Sequence, residues 1–195
     1  MLVTSLLRPG LLEASSVLVA STMQPVAPLG IAVGETCTEL GADVYMCAPV
    51  VADEAIVDEV VAAAIAESGS LDRLIVDGAG LFAQGGLHDC LDATWNVTRA
   101  VVNHAFLSGE ASSTTGRILY LAPAPHSGEF ACAACAGLEN LGRTLSTEWA
   151  RHGITLVTIA PGDATAAGEV AALCAYLASP AGAYFSGSLL DLRGP

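Results

Sequence analysis

Short apolar runs alternate with longer stretches of helical periodicity along the whole chain. Strand-like runs lie at 16–21, 43–47, 74–76, 117–121, 154–160 and 188–192, and helix-like stretches lie at 32–40, 53–67, 90–108, 132–152 and 170–178. Alternation of this kind is typical of βαβ units, in which helices cover a parallel sheet. The pattern predicts an α/β fold, a three-layer, Rossmann-like, doubly wound parallel sheet of about six strands.

Composition narrows the class of protein. Apolar residues make up 53% of the 195 residues and charged residues 14%, with no internal repeat, so we expect residues 1–195 to form one Rossmann-like domain. The low charged fraction also hints that another subunit covers part of the surface, although a general bias towards alanine explains it as well. In a cytosolic chain the six cysteines are expected to be mostly small buried apolar side chains and not a disulfide framework.

Charge excludes two kinds of partner. The net charge is −13, whereas nucleic acids and anionic membranes select proteins rich in lysine and arginine. No apolar run approaches the roughly 20 residues of a membrane span, and the N-terminal residues do not resemble a signal peptide. We therefore expect a cytoplasmic protein. All seven basic residues are arginines, so the chain contains no lysine.

Four stretches resemble the short-chain dehydrogenase/reductase (SDR) family. They are LDRLIVDGAG (71–80), GRILYLA (116–122), AGLENLGRTLSTEWARHGITLVTIAPG (136–162) and SPAGAYFSGSLLDLRG (179–194), and they occur in the family's order. The first 50 residues fit only loosely. The resemblance implies a Rossmann fold, an NAD or NADP cofactor, and catalysis by an Asn-Ser-Tyr-Lys tetrad.

The residues at the family's catalytic positions differ from that tetrad. The resemblance places the Asn at Cys90, the Ser near Pro123, the Tyr at Ala131 and the Lys at Cys135. Alanine has no proton to transfer, and a neutral thiol cannot replace an ammonium beside a phenol. A chain without lysine cannot restore the Tyr-x-x-x-Lys motif by a shift of the alignment. We expect no catalytic residue in this chain.

The nucleotide-binding loop also departs from the family. Where the family has Thr-Gly-x-x-x-Gly-x-Gly, residues 23–30 read MQPVAPLG, so only Gly30 remains. Pro25 and Pro28 remove backbone donors that a phosphate would need, and Cys47-Ala48-Pro49 places no acidic residue after the second strand. The remaining cofactor-binding remnants are Asp77, Gly78, Ala79 and Gly80. We expect no cofactor in this chain, and NAD or NADP in a partner subunit.

Several family segments are missing, whereas the segments used for assembly remain. Few residues join the strand at 43–47 to the next helix, so the family's edge strand and its helix cannot fit, and the second strand is left exposed. Only residues 81–89 precede the helix at 90–108, and the substrate lid after Pro161-Gly162 is absent. In the family, helices equivalent to 90–108 and 132–152 and the last strand build subunit interfaces.

We therefore interpret the chain as a non-catalytic SDR subunit that forms a homo- or hetero-oligomer through these elements, with an intact SDR paralogue as the expected partner. A repurposed SDR-fold enzyme, a ligand-binding module and a divergent NAD(P)-dependent oxidoreductase stay open as alternatives.

Two further alternatives concern small sets of side chains. Cys132-Ala-Ala-Cys135 could be a redox pair, and a zinc site could use His88, Cys90, His126, Cys132 and Cys135. Asp163 and Thr165 are expected to cap the next helix.

Overall fold

The computed structural model describes residues 7–22, 29–48, 53–108 and 116–194. Its strands are β1 (Ser16–Ala20), β2 (Asp43–Cys47), β3 (Arg73–Val76), β4 (Arg117–Leu121), β5 (Thr155–Pro161) and β6 (Ser188–Leu192). Its helices are α1 (Leu29–Glu39), α2 (Glu54–Ser68), α3 (Gly78–Val101), α4 (Ala131–Glu148) and α5 (Ala167–Ala178).

The strands form one parallel six-stranded sheet in the order β2-β1-β3-β4-β5-β6. One apolar layer packs α1 and α5 on one face of the sheet, and a second packs α2, α3 and α4 on the other. Strands β1 and β4 are buried along their whole length, as expected for a sheet covered on both faces. The fold confirms the predicted three-layer doubly wound class and its reduced size.

Strand β2 lies at one end of the sheet. Among the described residues, no strand pairs with its outer edge, and residues 48–53 are all that separate it from α2. The predicted loss of the family's edge strand agrees with this arrangement. Three described helices on one face and two on the other cover the remainder of the sheet.

The predicted helix at 90–108 is wrong at both ends. Helix α3 begins at Gly78, directly after β3, because the Asp77 carboxylate accepts a hydrogen bond from the Gly80 amide and caps the first turn. Residues 81–89 therefore belong to the helix and do not form a loop before it. Within this stretch the helix is kinked at Gly86, where φ is 72°. At its other end α3 changes to a π-helical turn over Val102–Phe106.

The second long helix is also shorter than predicted. Helix α4 ends at Glu148 and is followed by a separate 3₁₀ turn at Ala150–His152. Gly153, with φ of 70°, ends this turn before β5 begins. Helix α5 starts at Ala167, earlier than the predicted 170, so the segment between β5 and α5 contains only residues 162–166.

Two arginines at the start of neighbouring strands hold the C-terminal end of α5. The buried guanidinium of Arg117 donates to the carbonyls of Leu177 and Ala178, at 3.3 and 3.1 Å, and to that of Ser179. Arg73 Nε donates to the Ala178 carbonyl at 2.6 Å. The last carbonyls of a helix carry partial negative charge, so these cations stabilise the end of α5 against the sheet.

Among the described residues, no helix combines the length and the apolar character that crossing a bilayer requires.

Candidate functional site

The candidate site is the cleft at the carboxyl ends of the strands, where doubly wound sheets bind their ligands. The chain leaves β1 towards β2 on one side and leaves β3 towards β4 on the other, so the strand order reverses between β1 and β3. Ser21, Asp77 and Pro123 follow β1, β3 and β4 at this edge. The proline-rich segment, with Pro25 and Pro28, and Pro49 after β2 lie outside the described residues.

Asp77 joins three elements at the floor of this cleft. Its side chain is fully buried, and its Oδ2 accepts from Ser21 Oγ and from the Gly30 amide, both at 3.0 Å. Its Oδ1 accepts from the Gly80 amide at 2.9 Å. Burial raises the pKa of Asp77, while these three hydrogen bonds act in the opposite direction. The carboxylate thus ties the end of β1 to the first turns of α1 and α3.

The glycines beside Asp77 allow this close packing. A Cβ atom at Gly30 would lie 2.7 Å from Ser21 Oγ and 2.8 Å from Asp77 Oδ2, so no side chain fits there. A Cβ at Gly78 would lie 2.8 Å from the Leu121 carbonyl oxygen. Gly80 is buried and Ala79 is half-buried. The predicted remnants of the nucleotide motif therefore pack against one another and against the end of β4.

Three of the four positions aligned with the family's catalytic residues belong to the apolar core. Cys90, Ala131 and Cys135 are at most 5% exposed and lie in one buried cluster, and Pro123 is also buried. The Cys90 thiol donates to the Gly78 carbonyl at 3.3 Å. Burial raises the pKa of Cys90 to about 12 and also raises the pKa of Cys135, so both thiols are protonated at neutral pH.

An exposed histidine–carboxylate pair joins two loops on the far side of the cleft. His126, after β4, donates its backbone amide to Asp163 Oδ1 at 3.0 Å, and its Nδ1 lies 2.5 Å from Asp163 Oδ2. Hydrogen bonding to Asp163 raises the pKa of His126, and the same bond lowers the pKa of Asp163. The pair connects the segments that follow β4 and β5.

The predicted capping role of Asp163 and Thr165 is wrong. Thr165 Oγ1 accepts from the Gly162 amide at 2.9 Å and donates to the Leu192 carbonyl at 3.3 Å, which links β5 to β6. The first turn of α5 is held by Glu169, whose carboxylate accepts from the Ala166 amide at 3.0 Å. Asp163 is engaged by His126 and is therefore not available as a cap.

Removing the Asp163 carboxylate is expected to shift the titration of His126. In Asp163→Asn the His126 pKa should fall towards the ordinary value, because an amide does not favour the imidazolium. The pair is doubly charged only between the lowered pKa of Asp163 and the raised pKa of His126. Its contribution to stability is thus lost as pH rises through the His126 pKa, and also as pH falls through the Asp163 pKa.

The measurement is an NMR titration of the His126 ring protons. The matched control is Glu129→Gln, which removes an exposed carboxylate from the same loop and should leave the His126 titration unchanged. Equal shifts in the two variants would mean that the general negative charge of the loop, and not the hydrogen bond, sets the His126 pKa.

Five of the six cysteines are buried, as predicted, and Cys132 is exposed at the start of α4. The Cys132 thiol lies 3.8 Å from the Pro125 carbonyl oxygen. The zinc alternative has no ligand set among the described residues, since they contain no group of three or more His, Cys, Asp or Glu side chains able to hold a metal ion. His88 is paired instead with Asp92, at 2.9 Å.

A second feature lies outside the cleft, on the outer surface of α3 and α4. The two helices approach closely at Gly137, where a Cβ would lie 2.8 Å from Leu91 Cδ2. A groove of about 410 Å³ between them is lined by Trp95, which is 37% exposed, and by Leu91 and Leu141, which are half-buried. This is the surface that sequence analysis assigned to subunit contacts.

Sequence analysis missed the His126–Asp163 pair, because the two residues are 37 positions apart. A usable signal existed, since both follow adjacent parallel strands and strand ends of this kind meet at one edge of the sheet. It also missed that Asp77 binds the Gly30 amide, a contact between residues 47 positions apart that no local motif predicts.

No family model matches this chain. It is 29% identical over 208 aligned positions to a galactitol 2-dehydrogenase (L-tagatose-forming) from Cereibacter sphaeroides, covering 84% of this chain and 80% of that protein. Among solved structures, a short-chain dehydrogenase from Mycobacterium smegmatis aligns with a TM-score of 0.77 and 22% identity, covering 94% of this chain and 93% of that one.

An NADH-dependent reductase solved in complex with NAD aligns with a TM-score of 0.74 and 20% identity, covering 95% of this chain and 98% of that one. These structural similarities extend over nearly the whole of each molecule. The chain therefore has the fold of the short-chain dehydrogenase/reductase structures, and its sequence is similar to that of the galactitol 2-dehydrogenase.

Proposed function

We propose that this chain is a cytoplasmic, non-catalytic SDR subunit that assembles with an intact SDR paralogue, which holds NAD or NADP and carries out the oxidation or reduction. The observation that carries the proposal is the chemistry at the family's catalytic positions. Cys90, Ala131 and Cys135 are core side chains, and burial keeps both thiols protonated. None of these groups can act as the acid–base residue or as its cationic neighbour at neutral pH.

The floor of the cleft supports the same proposal. A dinucleotide brings a negatively charged pyrophosphate to the N-terminus of the first helix. Here the Gly30 amide is already bonded to the Asp77 carboxylate, which adds negative charge at that end of α1. The described residues around Asp77 therefore fit a dinucleotide phosphate poorly, because the nearest anion is part of the protein itself and repels a second one.

The surface of α3 and α4 supports the assembly part of the proposal. The groove between these helices exposes Trp95 beside Leu91 and Leu141, and a large exposed aromatic side chain in an apolar groove is typical of protein–protein contacts. Gly137 lines this groove and has no side chain to fill it, so that a partner helix can approach α4 there. An intact paralogue with the same helices would present a matching surface.

A second candidate is a divergent NAD(P)-dependent oxidoreductase that acts alone. The curated relative is a galactitol 2-dehydrogenase, and a solved reductase of the same fold binds NAD. In this alternative the acid–base group would come from outside the family's positions, and the His126–Asp163 pair beside the cleft is the described group suited to proton transfer.

The experiment that separates the two candidates is a titration of the purified chain with NADH and NADPH, followed by fluorescence, together with its mass in solution. The subunit proposal expects an oligomer and no saturable binding of either nucleotide. Saturable binding together with turnover of galactitol and NAD would overturn it and establish the second candidate.

The interface is tested separately by Trp95→Glu, which places a charge in the groove of α3 and α4. We expect the oligomer to dissociate while the circular dichroism spectrum is unchanged. Ile56→Glu on α2, where the side chain is 47% exposed, is the matched control and should keep the oligomer. An unchanged mass in Trp95→Glu would overturn this interface.

A further inference from the structure

The outer side of α1 and β2 forms an apolar groove with a volume of about 460 Å³. Its floor is made by Ile31, Val44 and Met46, and Ile31 and Met46 are 52% and 51% exposed. Large apolar side chains exposed together in a concave surface are typical of binding surfaces. The groove lies beside the open edge of the sheet, on the opposite end from β6.

Strand β2 directs some of its backbone amides and carbonyls away from β1, where a further strand could pair with them. The Asp43 amide donates to Ser15 O and the Cys47 carbonyl accepts from the Ser21 amide, so residues 43 and 47 bond inwards to β1. In a parallel sheet, alternate residues direct both backbone groups to the same side. The amides and carbonyls of Val44 and Met46 therefore point outwards, and their side chains line the groove.

The rim of the groove is acidic. Glu35 and Glu39 are exposed on α1 and line the groove, and Asp43 is exposed at the start of β2. Among the described residues, none of these three carboxylates forms an ion pair with a basic side chain. The described residues that line the groove include no arginine and no histidine. The surface thus combines an open strand edge, an apolar floor and an unneutralised negative rim.

We propose that the β2 edge and its groove bind an extended, basic segment of a partner protein by strand addition. Outward backbone groups of Val44 and Met46 pair with the added strand, an apolar side chain of the segment enters the groove, and arginine or lysine side chains reach Glu35 and Glu39. This inference is independent of the proposed function, because the edge of β2 lies away from the surface of α3 and α4.

A second copy of this chain fits the edge less well than a basic segment does. Pairing β2 with β2 of another copy would bring two acidic rims together, and like charges in a desolvated contact destabilise it. The chain as a whole has a net charge of −13, which adds to the repulsion between copies and attracts a basic partner.

The test uses the full chain and the synthetic peptide RTVTRTV, in which arginines and valines lie on one face of the strand and threonines on the other, with ETVTETV as the control peptide. Binding is followed by calorimetry at physiological ionic strength and by NMR of the Val44 and Met46 amides. We expect saturable binding of RTVTRTV, slower hydrogen exchange at these two amides when it binds, and no binding of ETVTETV.

Two variants test the two components of the surface. The double variant Glu35→Lys/Glu39→Lys should weaken binding at least about tenfold through loss of charge complementarity. Its matched control, Glu59→Lys/Glu67→Lys, makes the same change of net charge on α2 and should bind normally. Met46→Pro removes an outward amide while leaving the hydrogen bonds to β1, and should abolish binding in a protein whose circular dichroism spectrum is unchanged.

If Met46→Pro does not fold, hydrogen exchange of the Val44 and Met46 amides in the unaltered chain, with and without the peptide, tests whether the peptide pairs with β2. Three results would overturn the proposal. The first is no binding of RTVTRTV, and the second is equal weakening in the two charge variants, which would indicate unspecific attraction. The third is protection of the Val44 and Met46 amides in the chain alone, which would mean that the chain or a second copy already covers the edge.

Discussion

Replacing Arg117 with alanine is expected to lower the free energy of unfolding by about 3–5 kcal/mol, because three buried carbonyls at the end of α5 would each lose a charged donor. The guanidinium reaches the carbonyls of Leu177, Ala178 and Ser179 from the first residue of β4, and only 4% of Arg117 is exposed. Unfolding in urea, followed by circular dichroism, measures the change.

The matched control is Arg143→Ala on α4. Arg143 forms an exposed ion pair with Glu139 one helical turn away, and pairs of this kind contribute about 0.5 kcal/mol or less. A loss below about 1 kcal/mol in Arg117→Ala would mean that Arg73, which also donates to Ala178 O, can hold the end of α5 alone.

Replacing Asp77 with alanine is the second change with a large expected effect. It removes the acceptor of the Ser21 hydroxyl and of the Gly30 and Gly80 amides, all of them in a buried site. We expect a loss of about 2–4 kcal/mol, since each buried donor left without a partner costs about 1–3 kcal/mol and the lost charge partly offsets this. Urea unfolding at neutral pH measures the loss.

The pH dependence of Asp77 provides a sharper test. Burial raises the pKa of Asp77 in the folded protein above the ordinary 3.8. At pH values between the unfolded and the folded pKa, the folded state therefore binds more protons than the unfolded state. Stability from this residue is therefore full below the unfolded pKa and decreases as pH rises through the folded pKa. In Asp77→Asn the group does not titrate, and this decrease should be absent.

The difference in unfolding free energy between the unaltered chain and Asp77→Asn should thus shift in favour of the variant as pH rises from about 4 to neutrality. Other titrating groups cancel in the difference because both proteins contain them. A difference that is constant over this range would show that the hydrogen bonds to Ser21, Gly30 and Gly80 fully compensate the burial of the charge.

The strands were predictable from the sequence because buried parallel strands are short apolar runs with polar or glycine residues at their ends. RILYL and SVLVA are examples, and the structure places both in the sheet at nearly the predicted bounds. The open edge of β2 was predictable from chain length alone, since residues 48–53 cannot form a crossover with another strand.

The start of α3 was not predictable from local sequence. Gly85-Gly86 suggests a loop, whereas the structure accommodates both in a kinked helix that the Asp77 carboxylate caps. The contacts of the cleft depend on residues far apart in the chain, such as His126 with Asp163 and Gly30 with Asp77. Whether two such residues form a hydrogen bond depends on the geometry of their side chains in the fold, which the spacing of residues in the sequence does not reveal.

The order of the strands in the sheet also has a consequence for how the chain folds as it is synthesised. Strand β1 pairs on one side with β2, and on its other side with β3, where Val17 lies beside Arg73. Neither neighbour is joined to β1 by a hairpin, so each pairing closes a long loop, and such topologies fold slowly. A nascent chain that has not yet released β3 from the ribosome exposes β1 on one edge, and chaperones that shield apolar strands would act during that interval.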